Sequence, residues 1–336
     1  MTVREIAKLA GVSPATVSLV INNKPGVGDT KRMQVQKLIK ELGYSAKQKS
    51  VSSDIKKNLL FLKIIKIGFL VDQNSGFINR IMDSIQEECN KCGYTLQIYS
   101  IYDNYEKQLK ELDYSQYDGI FLIGTEINET DYKGLDYIKK PFIVLDNSMP
   151  FYDCNTITMD NELMIINNIK YLSSTQETDF GYFRSSFNSQ NFLERKRGVN
   201  IAVKRFNLQF DSKREFLLAP TLKDSYEGMK KYIEEGRYIP KIVCADNDII
   251  AIGAMNALKE KGYRIPEDVS IIGFDDTFLA ETNNPPLTTN HVQRTVIGKL
   301  ATKRLIDQIK ENSEIHDKTT VSGQLIIRKS VLNKFI

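Results

Sequence analysis

Val3–Val27 reads VREIAKLAGVSPATVSLVINNKPGV, and its spacing predicts two short helices held across a tight turn. Val3–Ala10 forms the first, with Thr2 as a candidate N-cap. Gly11-Val12-Ser13 interrupts it, at a point where the turn can require the positive φ that glycine adopts freely. Ser13 caps the second helix, and Pro14 stands at its first position, where a missing N–H costs nothing. That helix runs to about Asn22. Ile6, Ala10, Val12, Val17 and Val20 supply the apolar side, and Ala7 is small where the helices would cross. The pattern is that of a helix-turn-helix; the alternative is an ordinary helical hairpin inside a larger core. A third helix, about Lys31–Leu42 with Asp29 or Thr30 at its start, carries Val35, Leu38, Ile39 and Leu42 on one stripe and ends at Gly43. Three such helices bury one small core and hold the second helix outward, where it fits a major groove.

Charge points the same way. Residues 1–57 contain eleven Lys or Arg and four acids, a net +7, so residues 58–336 sum to −3 within the overall +4. A basic head on a near-neutral body implies a polyanion reached through the head. The chain has 336 residues, about two domains' worth, and its 41% hydrophobic and 26% charged content is that of a globular protein. The longest apolar runs, such as Leu59–Leu62, are far short of the ~18 residues that span a bilayer. The N-terminus has no unbroken apolar core and carries Glu5, unlike a secretory signal. A cytoplasmic location without membrane contact is expected. Cys89 and Cys92 form a C-x-x-C, readable as a redox pair or half a zinc site. They fall inside an apparent helix, no second C-x-x-C exists, and the chain has only His291 and His316, so a plain helical position is the stronger reading. The same scarcity opposes a histidine-based hydrolase. No cofactor or metal is expected.

Beyond a polar, basic stretch at 45–57 that reads as a hinge, apolar runs alternate with amphipathic segments. NLLFLKIIK, TLQIYSIY, YDGIFLIG, PFIVLDN, TITMDN, DFGYFRS, EFLLAP, IPKIVCAD, DVSIIGFDD, LTTNHV and a terminal QLIIRKSVL read as strands. Helices are expected at Phe77–Cys92, Tyr105–Leu112, Glu162–Ser173, Phe192–Phe206, Ser225–Glu235, Ile249–Lys261 and Thr295–Glu311. The alternation argues for open parallel α/β sheets, and about 280 residues exceed one typical sheet, so two similar lobes are expected. Ligands on such sheets sit in the crevice at the C-terminal ends of the strands. The residues just after the apolar runs are therefore the candidates: Asp146, Asn247, Asp248, Asp275 and Asp276. Each is also readable as a helix N-cap or loop residue.

VREIAKLAGVSPATVSLVINNKPGV, followed by a helix ending in ELGY (Glu41–Tyr44), resembles the N-terminus of the LacI/GalR family of bacterial repressors. The body resembles that family's effector domain, akin to periplasmic sugar-binding proteins, most specifically at DNDIIAIGAMNALKEKGYRIPEDVSIIGFDD (Asp246–Asp276) and NNPPLTTNHV (Asn283–Val292). The resemblance covers nearly the whole chain. It implies a small all-α helix-turn-helix head, residues 1–44, a hinge, 45–57, and a two-lobed α/β body of parallel sheets, 58–336. One lobe spans about 58–158 and 293–320, the other about 159–290 and 321–336. It implies a homodimer on pseudo-palindromic double-stranded operator DNA. Pro14, Ala15 and Leu19 fall where the family reads bases, and Thr16, Ser18 and Asn22 where it contacts phosphate or adjacent bases; Thr2, Ser13 and Lys24 complete the contact set. Val51 and Ile55 are the nearest counterparts of the hinge residues that wedge into a minor groove, although the usual alanine-arginine-leucine pattern is absent. ERKRGV (Glu194–Val199) resembles the segment holding the effector-anchoring arginine, which makes that residue Arg195. Phe77 matches an aromatic that stacks on ligand, while Lys66–Gly76 departs from the family's proline-aspartate strand end.

The function expected is a DNA-binding transcriptional repressor whose operator affinity is set by a small polar effector, sugar being the leading class, with a nucleobase or phosphorylated sugar open. With no heptad segment after Ile336, a dimer is expected rather than a tetramer. The competing readings are a soluble sugar-binding transport component, opposed by the basic head and the missing signal, and a nucleotide-dependent Rossmann-like enzyme. No G-x-G-x-x-G follows a strand and no P-loop is present, which opposes the enzyme.

Overall fold

The computed structural model describes residues 3–21, 26–41, 57–68, 70–71 and 75–332. The chain divides into two compact units, residues 1–56 and 57–336. Val51 and Ile55, and with them Thr2, Asn22 and Lys24, lie outside the described residues.

The first unit holds α1 (Val3–Leu9), α2 (Pro14–Ile21) and α3 (Asp29–Glu41). Gly11 takes φ +64°, which turns the chain so that the Val12 N–H donates to the Ala7 carbonyl at 3.0 Å. Ser13 Oγ accepts from the Thr16 N–H at 3.1 Å, the N-cap that starts α2. Ile6, Ala7, Ala10, Val17, Val20 and Val35 form the buried core, with Val12, Leu38 and Ile39 packed against it.

In the second unit β1 (Lys57–Ile64), α4 (Ser75–Lys91), β2 (Tyr94–Ile101), α5 (Tyr105–Glu111), β3 (Gly119–Ile123), α6 (Tyr132–Leu135), β4 (Phe142–Leu145) and β5 (Asn155–Met159) form the first run. The chain crosses into α7 (Asn161–Ser173), β6 (Phe180–Ser185), α8 (Gln190–Arg205), β7 (Glu215–Leu218), α9 (Leu222–Glu234), β8 (Ile242–Ala245), α10 (Asp248–Glu260), β9 (Ser270–Ile272), α11 (Phe278–Thr282) and β10 (Thr289–His291). It returns through α12 (Arg294–Glu311) and β11 (Lys318–Val321) and crosses once more to β12 (Gln324–Ile326).

Two separate sheets result, ordered β11-β5-β4-β3-β1-β2 and β7-β6-β8-β9, every pairing within them parallel. β10 and β12 pair antiparallel. Parallel strands need cover on both faces, which is why Leu59-Leu60-Phe61-Leu62 in β1 and all of β3 are buried. Helices α4 and α12 pack together in the first lobe, α7 with α8 and α9 with α10 in the second.

Two strand expectations need correction. QLIIRKSVL is a strand only over Gln324–Ile326; beyond it Ser330 takes over, its carbonyl accepting from the Ile271 N–H and its Oγ from the Thr288 N–H, both at 2.8 Å. KTTV of β11 was not expected as a strand at all. It is a half-exposed sheet edge with one apolar residue.

Candidate functional site

The second helix of the head presents Ser13, Pro14, Ala15 and Ser18 to solvent, while Thr16 and Leu19 are partly covered and Val17 and Val20 face the core. Five of the six base- or phosphate-contact candidates thus share one region of α2 or its first turn, the sixth, Asn22, being outside the described residues.

In the body, one cavity opens where the two lobes face each other. Leu70, Phe77, Thr125 and Asp146 line it from the first lobe, and Ser189, Asn191, Phe192, Arg195, Asn247 and Asp275 from the second. Asp146 follows β4, Asn247 follows β8 and Asp275 follows β9, so all three stand at the C-terminal ends of parallel strands, where open sheets hold ligands. Phe77 comes from the first turns of α4, and Ser189, Asn191, Phe192 and Arg195 from the start of α8 or its cap.

Arg195 is buried at 3% exposure, and its surroundings fix it. Its Nε donates to Asn161 Oδ1 at 2.9 Å, one terminal nitrogen donates to the Asp246 carbonyl, and the other lies 3.6 Å from Asp275 Oδ1. The guanidinium carbon sits 3.6 Å from the centroid of the Phe274 ring, a stacked arrangement favourable for a desolvated cation. Asp246 in turn accepts from the Tyr182 hydroxyl and the Ser185 N–H.

Asp146 accepts from the Thr125 hydroxyl and, across the lobes, from Asn191 Nδ2 at 2.9 Å. Burial pushes its carboxyl up to about 6, and burial does the same to Asp275, partly offset there by Arg195 and Arg294. Both residues have positive φ, +61° and +111°, a strain that backbones keep at functional sites. Asn247 caps α10 through Oδ1, which accepts from the Ile250 N–H at 2.9 Å, so it serves as cap and as pocket wall together.

Asp248 is a correction. It is fully buried but lines no part of the cavity: one carboxylate oxygen accepts from the Thr289 hydroxyl at 2.5 Å and the other from the Thr277 N–H at 2.8 Å. As the first residue of α10 it points along the helix's buried side, and it ties down the loop after β9. Asp276 likewise is held by Arg328 at 2.6 Å and His291 at 2.8 Å.

Thr125, Ser189, Asn191, Phe192 and Leu70 were not singled out by sequence, nor was Asn161, whose Nδ2 donates to Asn191 and Glu194 at 3.0 and 2.8 Å. Ser189 accepts from the Phe192 N–H as N-cap of α8, and the serine three residues before Phe192 was its one local signal. The cavity is about 30 Å³, room for a water or two, because Asn191–Asp146 and the Ser148–Glu194–Gln190 contacts draw the lobes together. Among the described residues no cluster of His, Cys, Asp or Glu is placed to hold a metal ion, and no helix is long and apolar enough to cross a membrane. Cys89 is buried in α4, where burial raises its thiol to about 12.

Comparison with known proteins agrees with these two units. Residues 2–47 match the bacterial regulatory proteins of the lacI family, and residues 169–331 match the periplasmic binding protein-like domain. The HTH-type transcriptional repressor PurR of Histophilus somni (strain 129Pt) is 30% identical over 340 residues, 98% of each chain. PurR of Vibrio vulnificus (strain CMCP6) is 30% identical over 338 residues, again 98% of each. Among solved structures, the CelR–cellobiose complex of a transcriptional regulator superposes with a TM-score of 0.73 at 21% identity, over 98% of this chain and 99% of that one. The lac repressor dimer bound to operator and the anti-inducer ONPF superposes with a TM-score of 0.71 at 20% identity, over 99% of each. With its helix-turn-helix head and two-lobed body, the chain belongs to the lacI family of bacterial regulatory proteins, and is a DNA-binding transcriptional regulator with a small-molecule-binding domain.

Proposed function

We propose that the protein is a homodimeric repressor whose hold on operator DNA is set by a neutral, polyhydroxylated effector of the sugar class in the cleft between the lobes. The observation that carries this is the composition of the cavity wall: Asp146, Asp275, Asn191 and Asn247 beside a fixed guanidinium, under Phe77 and Phe192. Carboxylates and amides pair with vicinal hydroxyls, an arginine fork adds direction, and a phenyl ring covers the apolar face of a pyranose. Two carboxylates against one guanidinium disfavour a phosphorylated ligand, whose charge would add to theirs. A planar nucleobase is the second reading, favoured by a phenyl ring on each side of the cavity, Phe77 from the first lobe and Phe192 from the second. Because the narrow cavity holds no more than a water or two, a sugar enters only if the lobes part at the three crossings near residues 160, 292 and 322. That movement is the step that can couple the effector to the head.

Calorimetric titration of the full chain with neutral mono- and disaccharides, their phosphates and free nucleobases tests the reading. A neutral sugar is expected to bind, and Arg195→Ala to weaken it at least about tenfold, in line with ~1.5–3 kcal/mol for hydrogen bonds to a charged group. Binding confined to phosphates would overturn it; binding confined to nucleobases would select the second reading.

A further inference from the structure

Glu126 stands immediately after the pocket residue Thr125 and is 1% exposed. Its carboxylate accepts from five backbone N–H groups of one loop: Lys66, Ile67 and Gly68 on Oε2 at 2.8, 2.8 and 3.1 Å, and Leu70 and Val71 on Oε1 at 3.0 and 3.3 Å. Lys66 does not neutralise it, since its Nζ pairs with Asp131 at 2.6 Å. Gly68 takes φ +79°, the left-handed step that turns successive amides toward one centre and makes a backbone nest for an anion. The loop so wrapped is the connection from β1 toward α4. It carries Leu70 into the cavity wall and leads to Phe77.

We infer that Glu126 is a positioning residue of the effector pocket: its carboxylate fixes the backbone at residues 66–68, 70 and 71, after β1, and thereby sets the first-lobe wall against which the ligand packs. A stretch of irregular backbone has no ladder to satisfy its N–H groups, and a buried N–H without a partner is costly. Here one side chain from the neighbouring strand end supplies the partner for all five. Thr125 and Glu126 act as adjacent halves of a single device, the first holding Asp146 and the second holding the facing loop. The link from loop shape to regulation rests on the effector reading above.

Hydrogen-exchange mass spectrometry on the full chain, with Glu126→Ala and Glu126→Gln, tests the clamp. In both variants the amides of 66–68, 70 and 71 are expected to exchange at least about tenfold faster, as the loss of hydrogen bonds to a charged acceptor implies, while β1, β3 and α10 keep their protection. Formate added to Glu126→Ala should restore slow exchange in the loop, and formamide, which is neutral, should not. Unchanged exchange in both variants, or equal rescue by formamide, overturns the anion clamp. If Glu126→Ala unfolds, Glu126→Gln carries the test, because it keeps the volume and one acceptor oxygen. Titration with neutral hexoses and their disaccharides then separates the two claims. The sugar that binds wild type should bind Glu126→Ala at least about tenfold more weakly, with recovery in formate. Unaltered affinity beside a deprotected loop overturns the positioning role. If wild type binds none of these sugars, the sugar reading fails by itself: the exchange result still decides the clamp, and the same comparison of wild type with Glu126→Ala using free nucleobases decides the positioning role.

Discussion

Asp248 shows how a buried carboxylate next to the interlobe cavity can belong to the scaffold. Both its oxygens are engaged, by Thr289 and Thr277, and replacing it with alanine strands those donors. Asp248→Ala is expected to destabilise the body by ~1–3 kcal/mol, read as a lowered urea midpoint, while effector affinity at low temperature stays within a few-fold of wild type. Arg195→Ala should differ in lowering effector affinity as well as stability, since it also takes a buried partner from Asn161, the Asp246 carbonyl and Asp275. Asp248 also joins Asp146, Asp246 and Asp275 in a group that titrates abnormally: burial holds the last three up at about 6 and Asp248 at about 7. A carboxyl whose folded pKa lies above its unfolded value of about 3.9 keeps its proton longer in the folded chain. Its contribution to stability is therefore fullest below about 4 and is lost as pH rises through 6 to 7. Glu215 and Asp276, lowered by their Lys, Arg and His partners against the effect of burial, act in the other direction, but only at pH values near and below their unfolded pKa. The thermal midpoint should thus be higher at pH 5.5 than at pH 8, and Asp248→Asn should flatten that slope. A midpoint that falls steadily from pH 8 to 5.5 would contradict it.

At the scale of elements, α2 joins a buried stripe to a solvent-facing one. Val17 and Val20 anchor it, Ser13 caps it, and Pro14, Ala15 and Ser18 face outward. Ser13→Ala should cost the head ~1 kcal/mol through the lost cap, and Val17→Asp, which buries a charge, should abolish DNA binding while the body still folds. Leu19→Arg is expected to shift the selected operator toward a guanine, since a guanidinium pairs with O6 and N7 for ~1–3 kcal/mol of discrimination. Selection from random duplexes reads this directly, and an unchanged consensus would place α2 differently on the groove. The elements legible from sequence were those with a strong period or a continuous apolar run: α2, β1, β3 and α10. β11 was not legible, because a half-exposed edge of Lys-Thr-Thr-Val carries no burial signal. In the pocket, Asp146, Asn247 and Asp275 could be located because strand ends in parallel sheets converge; Asp248 could not be told from them, since neighbours on one turn share the pattern and differ only in direction. Glu126 was invisible for another reason: its partners are backbone N–H groups, which leave no trace in side-chain identity.

At the scale of the whole chain, DNA affinity and ligand affinity are assigned to different units, one within 1–56 and one within 57–336. The assignment follows from charge as much as from shape, since residues 1–57 carry a net +7 and the remainder −3. A protein beginning at Lys57 retains both parallel sheets and every residue of the cavity wall. It should fold, bind effector as the full chain does, and show no measurable affinity for DNA. Binding by the full chain should weaken linearly in log–log terms with salt, with a slope of about −0.9 per phosphate neutralised. Leu19→Arg adds one cation at a half-covered position of α2, so its nonspecific binding should gain at most about one further phosphate contact. Its specific gain, by contrast, should survive at high salt, because base contacts release few counterions. Fluorescence anisotropy on matched specific and random duplexes, from low to physiological salt, separates the two contributions. Equal salt slopes and equal affinities for full-length and truncated protein would move the DNA site out of the head, and the lobes would then have to bind both partners.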